Sequence, residues 1–254
     1  MLELAHEELT NLGYLTAAYM MGPTHVDRVL AWVDELEGRG VRQSWLVAAR
    51  AEALAMTGHI DQARAILAEL QAQLVERGAT LALVRRLGMM FDVEMLAGDF
   101  DAAASIADEH CRLLDERGER AGQSTAVANL GQALFALGRL DEAEEAAARA
   151  AELGASDDIA TQALWRQVRA KVLARHGEYA EAEKLASDAV ALAETTDCLE
   201  FQGDAFADLG TVIALAGNRS EAAKVLGEAV GRYERKGNVV AAERTKAQLV
   251  SLGP

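Results

Sequence analysis

Apolar residues recur at three- and four-residue spacing through nearly the whole chain, as in Ile66, Leu67, Leu70 and Leu74, with polar residues between them. That period predicts amphipathic helices. No stretch alternates apolar and polar residues between Asn-Gly or Asp-Gly turns, so strands are not expected. The helical pattern is broken by one recurring turn: Gly58-His-Ile-Asp-Gln-Ala63, Gly98-Asp-Phe-Asp-Ala-Ala103, Gly138-Arg-Leu-Asp-Glu-Ala143, Gly177-Glu-Tyr-Ala-Glu-Ala182 and Gly217-Asn-Arg-Ser-Glu-Ala222. The glycines step by 40, 40, 39 and 40 residues, which marks an internal repeat.

Each position of the turn has a mechanical reason. The glycine can adopt the left-handed conformation that ends a helix. Ile60, Phe100, Leu140 and Tyr179, with Arg219 as the exception, can pack back onto the helix just completed. Asp61, Asp101, Asp141 and Ser220 stand near the start of the next helix, where an oxygen can satisfy free N–H groups. The alanine of all five copies leaves room for two helices to approach. Seven residues before each glycine lie Ala51, Phe91, Gly131, Ala170 and Gly210, small in four copies, as a helix crossing requires. Four residues before it lie Leu54, Glu94, Leu134, Leu173 and Ile213, mostly core-sized. In the second copy, Gly88 is expected to replace Phe91 as the close-approach position.

A second punctuation marks the far end of each pair. Glu76-Arg77-Gly78, Glu116-Arg117-Gly118 and Arg235-Lys236-Gly237 place cations in a last turn before a glycine. Gly154 is read in the same way, and Glu194-Thr-Thr-Asp197 replaces it in the fifth unit. First helices are therefore expected over 41–57, 80–97, 121–137, 158–176 and 199–216, and second helices over 60–76, 100–117, 140–153, 179–194 and 219–236. Upstream, 3–20 and 25–37 read as a degenerate pair joined through Met21-Gly22-Pro23-Thr24. Downstream, 239–251 reads as a closing helix with Glu243, Arg244, Lys246 and Gln248 on one side. No linker of disordered composition interrupts the array. Residues 1–254 are thus expected to form one domain, with 1–40 as the degenerate first pair, 41–237 as five repeats and 238–254 as the cap.

The spacing of small residue, glycine and alanine resembles that of the tetratricopeptide repeat, although the period exceeds 34 residues and the usual proline near each unit's end is absent. The expected fold is all-α: a right-handed α-solenoid of about six tetratricopeptide-like helix pairs plus a C-terminal capping helix. Further segments narrow the resemblance. Tyr19-Met-Met-Gly-Pro-Thr-His-Val-Asp27, Asp157-Asp158 followed by Gln162 to Arg175, Thr196-Asp197, Gly203-Asp204-Ala205 and Tyr233 to Ala242 are similar to the C-terminal arms of bacterial multidomain adenylate/guanylate cyclase–ATPase signalling proteins. In that family a cyclase domain and an AAA-type or STAND ATPase module precede the arm. No G-x-x-x-x-G-K-[ST] loop and no cyclase carboxylate pair occurs here, so the resemblance implies a signalling role and transfers no catalytic residue. The chain is expected to open mid-helix and end just past its last helix, as a C-terminal piece or a gene encoding the arm alone would.

Charge narrows the partners. The formal net charge is −15, from 40 acidic and 25 basic residues, which disfavours direct nucleic-acid binding and docking on anionic membranes. Only Cys111 and Cys198 are present, in no CxxC pair, which suits a reducing, cytoplasmic setting. The acidic N-terminus does not resemble a signal peptide.

Chemistry-bearing motifs are sparse. His110-Cys111 beside Asp108 is the tightest ligand cluster, yet neighbouring residues on a helix point about 100° apart and cannot readily share one ion. The serines lack a G-x-S-x-G context and the glycines form no phosphate loop, so no enzymatic activity, metal or cofactor is expected. Protein or peptide binding is expected instead, in the concave groove lined by the first helices. Glu52, Asp92, Gln132, Lys171 and Thr211 should face it, as should Trp45, Arg85, Thr125, Leu164 and Asp204 nearer the helix starts. Arg166, Arg169, Lys171 and Arg175 beside Trp165 form the densest group of cations and the best candidate contact site. The competing reading packs Trp165 between units and pairs the arginines with neighbouring acids. A small-molecule inducer would need a ligand-specific residue set, and none stands out.

Overall fold

The computed structural model describes residues 6–253, so residues 1–5, part of the expected first helix, lie outside it. Thirteen helices occur among the described residues: α1 (His6–Met21), α2 (Val26–Gly38), α3 (Ser44–Met56), α4 (Ile60–Glu76), α5 (Thr80–Ala97), α6 (Phe100–Asp115), α7 (Arg120–Ala136), α8 (Leu140–Leu153), α9 (Ile159–Arg175), α10 (Tyr179–Ala193), α11 (Leu199–Leu215), α12 (Arg219–Lys236) and α13 (Val239–Ser251). No strand is present among these residues.

The recurring turn works as a helix stop. Gly58, Gly98, Gly138, Gly177 and Gly217 have φ of 89°, 75°, 75°, 87° and 88°. The residue after each returns its N–H to the carbonyl four residues before the glycine. His59 bonds Leu54, Asp99 bonds Glu94, Arg139 bonds Leu134, Glu178 bonds Leu173 and Asn218 bonds Ile213. This pattern satisfies carbonyls that a helix end leaves free. The capping oxygen sits directly after the glycine, where Asp99 accepts from Ala102 N and Asn218 from Glu221 N. Asp61, Asp101 and Asp141 instead lie inside the first turn, where they act on the helix dipole. Gly154 also departs from expectation: its φ is −72°, and a Cβ there would lie 2.6 Å from Thr161. It allows a close approach without adopting a left-handed turn.

The crossing residues are fully buried. Ala63, Ala103, Ala143, Ala182 and Ala222 are each 0% exposed. A Cβ at Gly210 would meet Leu226 at 2.6 Å, and one at Gly131 would meet Val168 at 3.3 Å. The second unit solves the same problem in reverse. Phe91 is buried against Ala103, Ala104 and Ala107, so bulk on α5 fits a shallow row on α6. A Cβ at Gly88 would touch nothing within 4 Å, so it is not the close-approach position. Glu94, largely covered, makes a bidentate ion pair with Arg64.

The array also turns far enough for its two ends to meet. Lys236 is fully buried, and its ammonium donates to the carbonyls of Tyr19 (3.1 Å), Met20 and Gly22 (3.0 Å) at the end of α1. A Cβ on Gly237 would lie 2.6 Å from the His25 ring and 2.7 Å from Val26. The last helix, α13, packs on α12 and reaches back to α3, while Arg244 bonds the Met95 carbonyl at 3.0 Å. The polar side of α13 is therefore engaged: Gln248 donates to Thr211 (2.8 Å) and Lys246 pairs with Glu234 (2.9 Å).

Candidate binding groove

The first helix of each pair, α3, α5, α7, α9 and α11, contributes to one inner surface. Glu52 on α3 and Asp92 on α5 lie within electrostatic reach of Glu200 on α11, and Asp92 also of Asp204; Asp208 follows Asp204 by one turn. The three acids of α11 are spaced by four residues and share one helix face. Protein surrounds the five carboxylates, yet water reaches them. Asp92 and Asp204 are exposed and the other three half-buried, so the inner surface is wet.

Burial and mutual repulsion push these carboxyls upward. Asp92 rises to about 8, first by desolvation and then by Glu200 and Asp204. Glu200 rises to about 7 by desolvation and Asp204, offset by a 2.7 Å hydrogen bond from Asn238 and by Lys236. Asp204 rises to about 6 by desolvation, offset by the Tyr233 hydroxyl, which donates to it at 2.5 Å. Glu52 lies well above its ordinary range through desolvation, then Asp92 and Glu200. Asp208 is raised less, because Lys171 sits 2.9 Å away. Glu52 and Asp92 differ from the rest: neither makes a hydrogen bond or ion pair with another described residue.

The central part of the surface is neutralised internally. Lys171 is 7% exposed, bonds Gln132 Oε1 at 2.5 Å and lies 4.9 Å from the Phe135 ring centre. Gln132 in turn donates to Gln167 at 3.3 Å. At the N-terminal ends of α3 and α5, Trp45 and Arg85 line an open cleft together with Arg86 and Arg117.

The cations of α9 do not converge. Arg166 stacks on Trp165 at 4.2 Å and bonds the carbonyl and side chain of Gln162. Trp165 is half-buried against the cores of two successive units. Arg169 pairs with Glu144 at 3.1 Å, Lys171 points inward, and Arg175 is exposed. Their spacing spreads them around the helix, since 100° per residue separates 169 from 171 by more than half a turn. Of the expected groove residues, the structure joins Glu52, Asp92 and Asp204 in one cluster, Gln132 and Lys171 in a second, and Trp45 and Arg85 in a third. Glu200, Asp208, Tyr233, Lys236 and Asn238 were not anticipated. Only the four-residue acidic spacing on α11 could have pointed to any of them.

Elsewhere, Cys111 is buried and its thiol pushed up to about 11 by desolvation. No group of three or more His, Cys, Asp or Glu among the described residues could hold a metal ion. None of their helices is long and apolar enough to cross a membrane.

The fold and repeat define a tetratricopeptide-like α-solenoid. No family model and no curated protein matches the chain. Among solved structures, it is similar to NprR in complex with its cognate peptide NprX (TM-score 0.66, 12% identity, covering 97% of this chain and 75% of that one). A Rap protein complexed with competence and sporulation factor gives a TM-score of 0.63 at 12% identity, covering 97% and 71%. BtubC (BKLC) from P. vanneervenii gives 0.52 at 16% identity, covering 97% and 94%.

Proposed function

We propose that this chain is a non-catalytic binding solenoid that holds a cationic peptide segment along the inner surface of its first helices. The observation carrying this reading is the pair Glu52 and Asp92, two carboxylates turned to a wet interior with no bonding partner of their own. Leaving such groups unpaired costs free energy that a ligand's ammonium or guanidinium would recover. The fold neighbours support the reading, because one was solved with its cognate peptide and another complexed with competence and sporulation factor. A labelled oligolysine peptide should bind the full chain, and an oligoglutamate should not. Glu52→Gln plus Asp92→Asn should weaken that binding by about tenfold or more, since each charge-assisted contact contributes about 1.5–3 kcal/mol. Equal binding of both peptides, or an unaffected double variant, would overturn it.

The sequence resemblance supports a finer proposal: the solenoid is a regulatory arm that reports occupancy of its groove to a signalling ATPase or nucleotide cyclase. Nucleotide turnover by such a module should respond to the groove ligand with the arm attached, and not with the Glu52→Gln plus Asp92→Asn arm.

A further inference from the structure

The cleft at the N-terminal ends of α3 and α5 has the opposite chemistry to the acidic interior. It encloses about 540 Å³, and no acidic side chain lines it. Arg85 and Arg117 are exposed and make no ion pair or hydrogen bond with any described residue. Arg86 contacts only the Met89 sulfur at 3.8 Å, and its buried Nε has no hydrogen-bond partner. Arg85 and Arg117 hold no carboxylate, and Arg86 has only the through-space field of Glu52, in a chain with 40 acidic and 25 basic residues. Elsewhere on this molecule Arg50, Arg64, Arg112, Arg139 and Arg232 each hold a carboxylate.

The backbone adds to this positive field. The residues preceding α3 and α5, Gln43 and Ala79, have no side chain that accepts from the first-turn N–H groups. Leu46 and Thr80 N–H are bonded to the carbonyls of Gln43 and Gly78, which leaves the N–H groups of Ser44, Trp45, Leu81 and Ala82 turned to the cleft these residues line. The apolar remainder is supplied by the Trp45 indole and Leu81. A guanidinium fork matches phosphate geometry in bidentate fashion. A single carboxylate would neutralise only one of the three arginines, whereas a phosphomonoester carries close to two charges and three acceptor oxygens. The volume lies within the ordinary range for small-molecule pockets, which exceeds what an inorganic ion alone would fill.

From this geometry we infer a second site that nothing in the peptide-binding reading requires: an anion pocket formed by Arg85, Arg86 and Arg117 that takes a small phosphate ester, its organic body resting on Trp45. Calorimetric titration of the full chain with phenyl phosphate tests it, with benzoate and inorganic phosphate as the comparison ligands. Phenyl phosphate should bind saturably, and about tenfold more tightly than either comparison ligand. Arg85→Gln plus Arg117→Gln should weaken it by about tenfold or more, the scale of one or two lost charge-assisted contacts. Both arginines are exposed, so an unchanged circular-dichroism melt is expected and separates loss of binding from loss of fold. The Glu52→Gln plus Asp92→Asn chain should bind phenyl phosphate at least as tightly, because Glu52 opposes an anion at Arg86, so loss of peptide binding and loss of phosphate binding remain distinguishable. No saturable binding, equal affinity for benzoate, or an unaffected arginine double variant would overturn the assignment. So would affinity for a phosphorylated peptide without affinity for phenyl phosphate.

Discussion

Raising the pH through the neutral range should destabilise this protein, the reverse of the usual behaviour of carboxylates held in ion pairs. Asp92, Glu200 and Asp204 are pushed up to about 8, 7 and 6 in the folded state, while the unfolded chain titrates them near their ordinary values. Between those limits the folded protein binds more protons than the unfolded chain, so the stability present at low pH is lost as pH rises through the raised values. If the cluster retains one extra proton between about pH 5.5 and about pH 7.5, the loss is at most about 2.7 kcal/mol, at about 1.36 kcal/mol per pH unit. Because Asp92 and Asp204 are wetted, solvent screening reduces this to about 1–1.5 kcal/mol. Glu109 and Glu142, held low by Arg112 and Arg139, titrate below this window. His110, pushed down by burial, acts with the opposite sign, and comparison with Asp92→Asn cancels its contribution. Urea unfolding followed by circular dichroism at the two pH values should show a lower midpoint at the higher pH, and a smaller drop in Asp92→Asn. A midpoint that holds or rises with pH, or an identical drop in the variant, would refute the reasoning.

Lys236→Met should remove the charge-assisted bonds from residue 236 to the carbonyls ending α1, costing about 2–4 kcal/mol. Amide exchange in α1 and α2 should accelerate, and unchanged exchange would show that the ends are held otherwise. Ala143→Leu adds volume at a fully buried crossing and should cost about 1–3 kcal/mol, read as a lower melting temperature. Gly210→Ala forces its methyl against Leu226 and should destabilise, whereas Gly88→Ala meets open space in mid-helix and should stabilise by about 0.5–1 kcal/mol. Equal melts for the two glycine variants would contradict the crossing geometry.

The helix pairs were legible because their signals are local. A glycine that must turn left-handed and an alanine five residues later that must fit a crossing leave marks at fixed positions, and all five alanines are fully buried. The capping role expected of Asp101 belongs to Asp99, two residues earlier, and the helices carrying Asp61 and Asp141 have no side-chain cap, because an acid in the first turn and an acid at the cap look alike in sequence. The α9 cations were misjudged for a related reason. Proximity in sequence suggested a cluster, while Glu144, Gln162 and Asp208, the groups that hold three of those four cations, belong partly to other helices. The expected groove acids Glu52, Asp92 and Asp204 each stand on the first helix of a pair. That they would approach one another, and find Glu200 and Asp208 beside them, could not be read from their own repeats.

By itself the sequence determined where the helices lie and how successive helices pair, since these follow from the 3.6-residue period and from turns of a few residues. Only the tertiary structure decided how far the array curls. Curvature accumulates from small rotations at each interface between units, set by contacts such as Gly131 of α7 on Val168 of α9. That accumulated rotation brings Lys236 to the end of α1, draws the acids of three helices into one interior and leaves Arg85, Arg86 and Arg117 around one cleft.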